Sequence, residues 1–358
     1  MRILIYGAGV LGSRYAAGLC QAGHQVKILA RGQRSQQIQQ YGIVLEAVNT
    51  GKISMVQVPV VEKLDPEDAY DLIIVLMRSN HVNDILPDLA ANQHTPNILF
   101  LGNNIHGPAE IIQALGRGRV LMGFAAAAGV RDEHIIRYIH SDRNYTLVGE
   151  LEGQITPRLE LIMQAFLGSG FPVVAHRDIL AWLRTHVSLI SPAAYAIYMC
   201  AGSNYRLART RDALVLLVRA VREGFSAQKA LHFPINPPSL PGMFRLPEPL
   251  LVFLLQKLMA TKYAEIGMAG HANAARDEME YLADGWFKMV QASGVPAPAL
   301  ERLYRYRNST ELPVAEQSKE IKPHTRELWP VIGILTAMIA FLGWIGSRIW
   351  KSIRRRTR

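Results

Sequence analysis

Five residues from the amino terminus, a short apolar run turns into a glycine pattern that few folds accommodate. Arg2 to Tyr6 (RILIY) reads as a buried strand and leads directly into Gly7-Ala8-Gly9-Val10-Leu11-Gly12. The following SRYAAGLCQAG reads as a helix ending near Gly23, and Gln25 to Ala30 as a second strand, so the glycines sit in a strand, turn, helix, strand unit. Each glycine then has a task. Gly7 permits the tight turn, Gly9 lets the backbone approach a pyrophosphate, and Gly12 lets the helix pack close to the strand. The helix N-terminus offers free N–H groups and a favourable dipole to the diphosphate, and the whole turn from Gly7 to Gly12, with Ala8, Val10 and Leu11, is read as a dinucleotide site.

The end of the second strand distinguishes the two nicotinamide cofactors. An NAD site places Asp or Glu there for the ribose hydroxyls, and an NADP site offers arginine. The strand ends Leu29-Ala30-Arg31-Gly32-Gln33-Arg34, with no carboxylate, and Arg31 can fork onto a 2′-phosphate, so NADPH is the expected cofactor. Asp71 to Met77 (DLIIVLM) and Asn97 to Leu101 (NILFL) read as further buried strands, with later ones at Arg119 to Phe124, Tyr145 to Gly149 and Phe171 to Ala175. The fold class is α/β, a Rossmann-type doubly wound parallel sheet, in which ligands bind beyond the carboxyl ends of the strands. That rule singles out Arg78-Ser79-Asn80 and Gly102-Asn103-Asn104.

From about Asp178 the pattern becomes helical: Ile179 to Cys200, Arg211 to Leu231, Pro249 to Gly267 and Ala274 to Gly294, with the Pro- and Gly-rich INPPSLPGMF between two of them. We expect an NADP-binding domain over 1–177, an all-helical substrate domain over 178–307, a linker over 308–327 and a hydrophobic segment with a basic tail over 328–358. A chain of 358 residues, 49% of them apolar, can bury two cores. The two cysteines, Cys20 and Cys200, are far apart and lie in no Cys/His cluster, which argues against disulfides and zinc and fits a cytoplasmic protein; no metal site is expected. Six of the net +10 charges lie within Ser347 to Arg358, leaving +4 for the rest and no basic stripe with aromatics, so nucleic acid is not an expected partner.

Several stretches together resemble the ketopantoate reductase family, from residue 1 to about 306. They are GAGVLG, the LAR containing Arg31, LGNNIHG around Asn103, the AWLRTHVSLISPAAYAIY helix, RDEMEYLADG containing Glu278, and GVPAPALERLY. The resemblance implies NADPH-dependent reduction of 2-dehydropantoate, or a related 2-oxoacid, to the 2-hydroxy acid, a step toward pantothenate. It places Asn103 near nicotinamide and substrate, and Glu278 near both. It also exposes departures. The family's proton-donating lysine, two residues after a tryptophan, is here Arg184 after Trp182; a second family lysine, a cofactor contact, is Arg78; and an asparagine one turn beyond the catalytic lysine is Ser188.

Arginine can stabilise the negative charge that hydride delivery leaves on oxygen, or grip a substrate carboxylate with its fork, yet it does not readily give up a proton because its pKa lies above about 12. Ser188, at i+4 from Arg184, can relay a proton through water, whereas His186 points to another part of the helix; Lys262 and His271 are available, but no spacing selects them. The missing lysine keeps a non-catalytic NADP-binding sensor, or a membrane-associated regulatory protein, open as the alternative. Finally, Leu328 to Gly346 is 19 residues without a charge, with Trp329, Trp344 and Trp350 near its ends and basic residues after it, the pattern of a membrane contact by spanning or surface anchorage. A homo-oligomer is compatible with the sequence, which does not decide it.

Overall fold

The computed structural model describes residues 1–125, 127–139, 145–307 and 311–328. Twelve strands are present among them: β1 (Arg2–Tyr6), β2 (Gln25–Leu29), β3 (Ile43–Ala47), β4 (Lys52–Val56), β5 (Val60–Val61), β6 (Leu72–Val75), β7 (Ile98–Leu101), β8 (Val120–Phe124), β9 (Ala128–Asp132), β10 (Ile135–Ile139), β11 (Thr146–Gly149) and β12 (Val173–Ala175). Eight form one sheet in the order β12-β11-β8-β7-β6-β1-β2-β5. Its centre is parallel, and helices over Val10–Gln21, Val82–Ala91 and Ala109–Leu115 cover its faces. The continuous apolar runs follow from this covering, because both faces of a central strand are buried. In β1, Ile3 and Ile5 join the core on one side of the sheet while Leu4 and Tyr6 join the core on the other.

The sheet departs from the expected all-parallel form at one place. β11 pairs antiparallel with β8, and β12 then pairs parallel with β11. Among the described residues no crossover helix joins β8 to β11; the chain makes the β9–β10 hairpin, and a strand returning without a crossover comes back antiparallel. That hairpin joins β3 and β4 in a second sheet, ordered β4-β3-β10-β9, which the sequence reading did not foresee. β4 is mostly exposed, so the alternation that would announce it is weak.

Helices build the second core, over Ile179–Met199, Arg211–Ala230, Glu248–Met259 and Arg276–Ala292, with shorter pieces between. Asp178 caps the first by accepting the Ala181 N–H. The helix expected over Pro249 to Gly267 stops at Met259; Thr261 starts a new turn that runs into a wide, π-type turn over Glu265–Ala269. Residues 311–327, read as a linker, are docked on this helical layer. Buried Asp212 accepts the Glu320 and Ile321 N–H groups and the Ser318 hydroxyl, and buried Glu248 accepts the His324 N–H beside a bidentate Arg219. The apolar segment beginning at Leu328 lies outside the described residues beyond its first residue; among the described residues no helix is long and apolar enough to cross a membrane.

Candidate active site

The glycine turn has the geometry its sequence implies. Gly7 holds φ +115°, and a Cβ there would lie 2.7 Å from the Leu76 carbonyl oxygen; one on Gly12 would lie 1.8 Å from the Gly7 carbonyl oxygen. A Cβ on Gly9 would meet nothing within 4 Å, so the open side of the turn is where a phosphate can approach. No side chain caps the Val10–Gln21 helix, which leaves its first N–H groups free for an anion. These residues fit a dinucleotide.

Two arginines stand at the edge of this turn. Arg31 is largely exposed at the end of β2, its Nε donating to the Glu62 carbonyl oxygen (3.1 Å) and its guanidinium 3.4 Å from Asp88. Arg34, which sequence reasoning did not assign, reaches back over the turn and donates to the Ala8 carbonyl oxygen (3.1 Å) and the Ser13 hydroxyl (2.9 Å). Burial, and then the charge of Arg131, push Arg34 down to about 10, so it remains a cation at neutral pH. The only signal for Arg34 was its place one helical turn beyond Arg31.

The loops after β6 and β7 meet the start of the Arg276–Ala292 helix, and this brings residues far apart in sequence into one cluster. Glu278, 3% exposed, accepts at Oε1 from the Ser79 N–H (3.1 Å), the Ser79 hydroxyl (3.2 Å) and the Asn103 amide (3.2 Å). The Asn103 Oδ1 is buried and without a hydrogen-bond partner, an acceptor left for a ligand. Arg78 does not point to the glycine turn; it clamps the helix start, donating to Asp277 (2.7 Å) and to the Ala274 carbonyl oxygen (2.5 Å). Burial would raise the Asp277 carboxyl, but hydrogen bonds from Asn80 and Arg78 overcome it and hold the group below its ordinary value.

The Ile179–Met199 helix distributes its polar residues differently from expectation. The Arg184 guanidinium lies 4.1 Å over the Phe233 ring, and burial lowers its pKa. Ser188 is fully buried, donating to the Thr185 carbonyl oxygen (2.6 Å) and accepting from Gln228 (3.1 Å). Its proton and one of its two lone pairs are taken by protein groups, and full burial keeps the oxygen from solvent, so it is not placed for a water relay. The face opposite carries His186, stacked on Trp182 (4.9 Å between centroids) and 4.4 Å from Phe124 at the end of β8. Burial first, and the nearby His271 second, push His186 down to about 4. His271 itself lies 3.9 Å from Glu278 Oε2. Sequence spacing set both histidines aside because the pairing of these elements is a tertiary fact. Among the described residues no cluster could hold a metal ion.

Residues 3–153 match the family model described as Ketopantoate reductase PanE/ApbA. A 2-dehydropantoate 2-reductase of Pyrococcus horikoshii is 26% identical over 247 residues, 67% of this chain and 78% of that protein. One from Aquifex aeolicus is 22% identical over 323 residues, 87% of this chain and 97% of that protein. Among solved structures, a 2-dehydropantoate 2-reductase from Geobacter metallireducens has a TM-score of 0.70 at 18% identity, covering 86% of this chain and 99% of its own. The ternary structure of D-mandelate dehydrogenase with NADH and anilino(oxo)acetate has a TM-score of 0.70 at 17% identity, covering 86% and 97%. At those identities the structures establish the fold alone, an α/β sheet with a helical C-terminal region. Joined to the family-model match over residues 3–153, the relatives' sequences and the glycine turn, they make the chain similar to proteins of the ketopantoate reductase family.

Proposed function

We propose that the chain reduces a 2-oxoacid to the 2-hydroxy acid with NADPH, and that 2-dehydropantoate is the first substrate to try. The observation that carries this reading is the partly buried Asn103–Glu278–Ser79 cluster, which presents an unpartnered amide oxygen beyond the carboxyl ends of β6 and β7, where ligands of such sheets lie. In this reading Arg31 pairs with the 2′-phosphate and Arg34 guards the adjacent turn, while the free N–H groups of the Val10–Gln21 helix receive the pyrophosphate. The bound cofactor supplies a hydride to the ketone carbon. Asn103 orients the nicotinamide and substrate, and Glu278, fixed by three donors on one oxygen, accepts from the substrate with the other. Arg184, packed over Phe233 on the helix face opposite His186, adds positive charge to the helical layer and is not aimed at this cluster. Arg78 acts through Asp277 to position the helix that bears Glu278.

The test is NADPH oxidation by the full chain with 2-dehydropantoate and a panel of other 2-oxoacids. Asn103→Ala is expected to lower kcat/KM by roughly a hundredfold, the scale on which a preorganised polar contact at the reacting centre acts. Arg31→Ala is expected to weaken NADPH about tenfold and leave NADH unchanged, the loss of one charge-assisted contact. Tight NADPH binding with no turnover of any 2-oxoacid would instead favour a cofactor-sensing protein.

A further inference from the structure

We propose that His271 is the proton donor of this reaction, taking the place that the family's lysine leaves vacant. The proposal rests on the reductase reading above and adds the group that completes its chemistry. Glu278 divides its two oxygens unequally. Oε1 receives all three donors, from Ser79 and Asn103, while Oε2 is turned toward the His271 Nε2 at 3.9 Å. That separation is too long for a hydrogen bond and leaves room between the two groups for a substrate, whose carbonyl oxygen accepts from the imidazole and whose hydroxyl, once formed, can donate to the carboxylate, with contacts that tighten when it binds.

The surroundings suit the role. The His271 side chain is 45% exposed, against 5% for Glu278, so one member of the pair exchanges protons with solvent while the other is held in place. The segment bearing His271, Gly270–Ala274, follows the wide turn at Glu265–Ala269 and is pinned by the Tyr198 hydroxyl donating to the Ala272 carbonyl oxygen (2.6 Å) and by Asn273 donating to the Gly202 carbonyl oxygen (2.8 Å). The groups that face the imidazole are few. Glu278 faces it from the Arg276–Ala292 helix and His186 from the Ile179–Met199 helix; β9 contributes the apolar Ala128 and Val130 beside Gly267 and Gly270, and the charge of its Arg131 is felt at Arg34. His186 is the more enclosed of the two imidazoles and stacks on Trp182, which leaves His271 as the one with a route to water. Arg184, over Phe233, is a fixed cation rather than a source of protons.

The step balances as follows. The carbonyl π bond breaks as the two-electron hydride of the reduced nicotinamide reaches the ketone carbon; the carbonyl oxygen takes the proton from His271 Nε2 and becomes the hydroxyl. The nicotinamide is left oxidised, and the neutral imidazole regains a proton from solvent. In the reverse direction the same nitrogen accepts the hydroxyl proton.

The experiment compares the full chain with His271→Gln. The wild-type rate of reduction is expected to fall as pH rises and the imidazole deprotonates; the variant should lose a hundredfold or more in kcat, within the range for general acid catalysis, keep KM within about threefold, and show no such pH dependence. A second readout needs no turnover. In protein labelled with ¹³C-histidine, the resonance lost in His271→Gln should shift its titration midpoint when NADP⁺ and the 2-hydroxy acid are added together, and not with NADP⁺ alone. A variant with unchanged kcat and pH profile, or one that changes only KM, overturns the proposal, as does a His271 resonance indifferent to the hydroxy acid. A wild-type chain that reduces no 2-oxoacid overturns the reductase reading itself, a different result from an active wild type with an unaffected variant.

Discussion

His186 shows how much a single side chain can couple packing to pH. Its ring lies against Trp182 and Phe124, and burial holds it neutral down to about 4, whereas an unfolded histidine takes up its proton near 6.5. Between those values the unfolded chain binds the extra proton, so this residue's contribution is complete above about pH 6.5 and is lost as pH falls through 4, on the order of 3 kcal/mol at most. Urea unfolding at pH 7.5 and pH 4.5 should therefore show a smaller acid-induced loss in His186→Phe than in the wild type. Equal losses would mean that the ring is not held neutral by its surroundings. Asn103 and Glu278 illustrate the limits of reading residues from a string: they are 175 positions apart, and no periodicity relates them. They were identified by resemblance, whereas the rule that ligands lie beyond strand ends independently picked out the segments containing Ser79 and Asn103. Arg34 and Ser79 add contacts that only the folded chain reveals.

At the scale of elements, the central strands and most long helices were legible because their signals are local. RILIY, DLIIVLM and NILFL are buried on both faces, and the Ile179–Met199 and Arg211–Ala230 helices carry an unbroken helical pattern. Strand direction was not legible, since the same residues can pair either way, and only the course of the β9–β10 hairpin decides that β11 runs antiparallel. The segment 311–327 misled for a related reason. Its prolines and charges have a linker's composition, yet the carboxylates that receive its N–H groups, Asp212 and Glu248, belong to helices 109 and 76 residues earlier. Burial alone would raise the Glu248 carboxyl, but Arg219, the His324 N–H and the His324 charge hold it below its ordinary value. Glu248→Ala strips the buried partner from Arg219 and is expected to cost about 3 kcal/mol in urea unfolding, the scale for breaking one side of a buried ion pair. A cost below 1 kcal/mol would show that the strap's anchorage is incidental.

For the whole molecule, the sheet and the helical layer meet along the start of the Ile179–Met199 helix, whose Ile179 and Leu183 lie in a sheet core, and at the cluster around Glu278, whose partners Ser79 and Asn103 come from the sheet loops. A ligand that bridges this cluster and the glycine turn binds only when both are folded together. NADPH at a hundred times its dissociation constant should thus raise stability by about 2.7 kcal/mol, and NADH at the same concentration by less. Matching shifts from the two cofactors in the unfolding midpoint would remove the role given to Arg31. The docked strap has a mechanical consequence as well. A free tether would dissipate whatever happens to the thirty residues that follow Leu328, but a segment fastened through Asp212, Glu248 and Arg222 is a lever. A load placed on the carboxyl terminus would be delivered to the helices carrying Asp212 and Glu248, so pulling a single molecule by its last residue should detach the strap in a discrete step before the sheet yields.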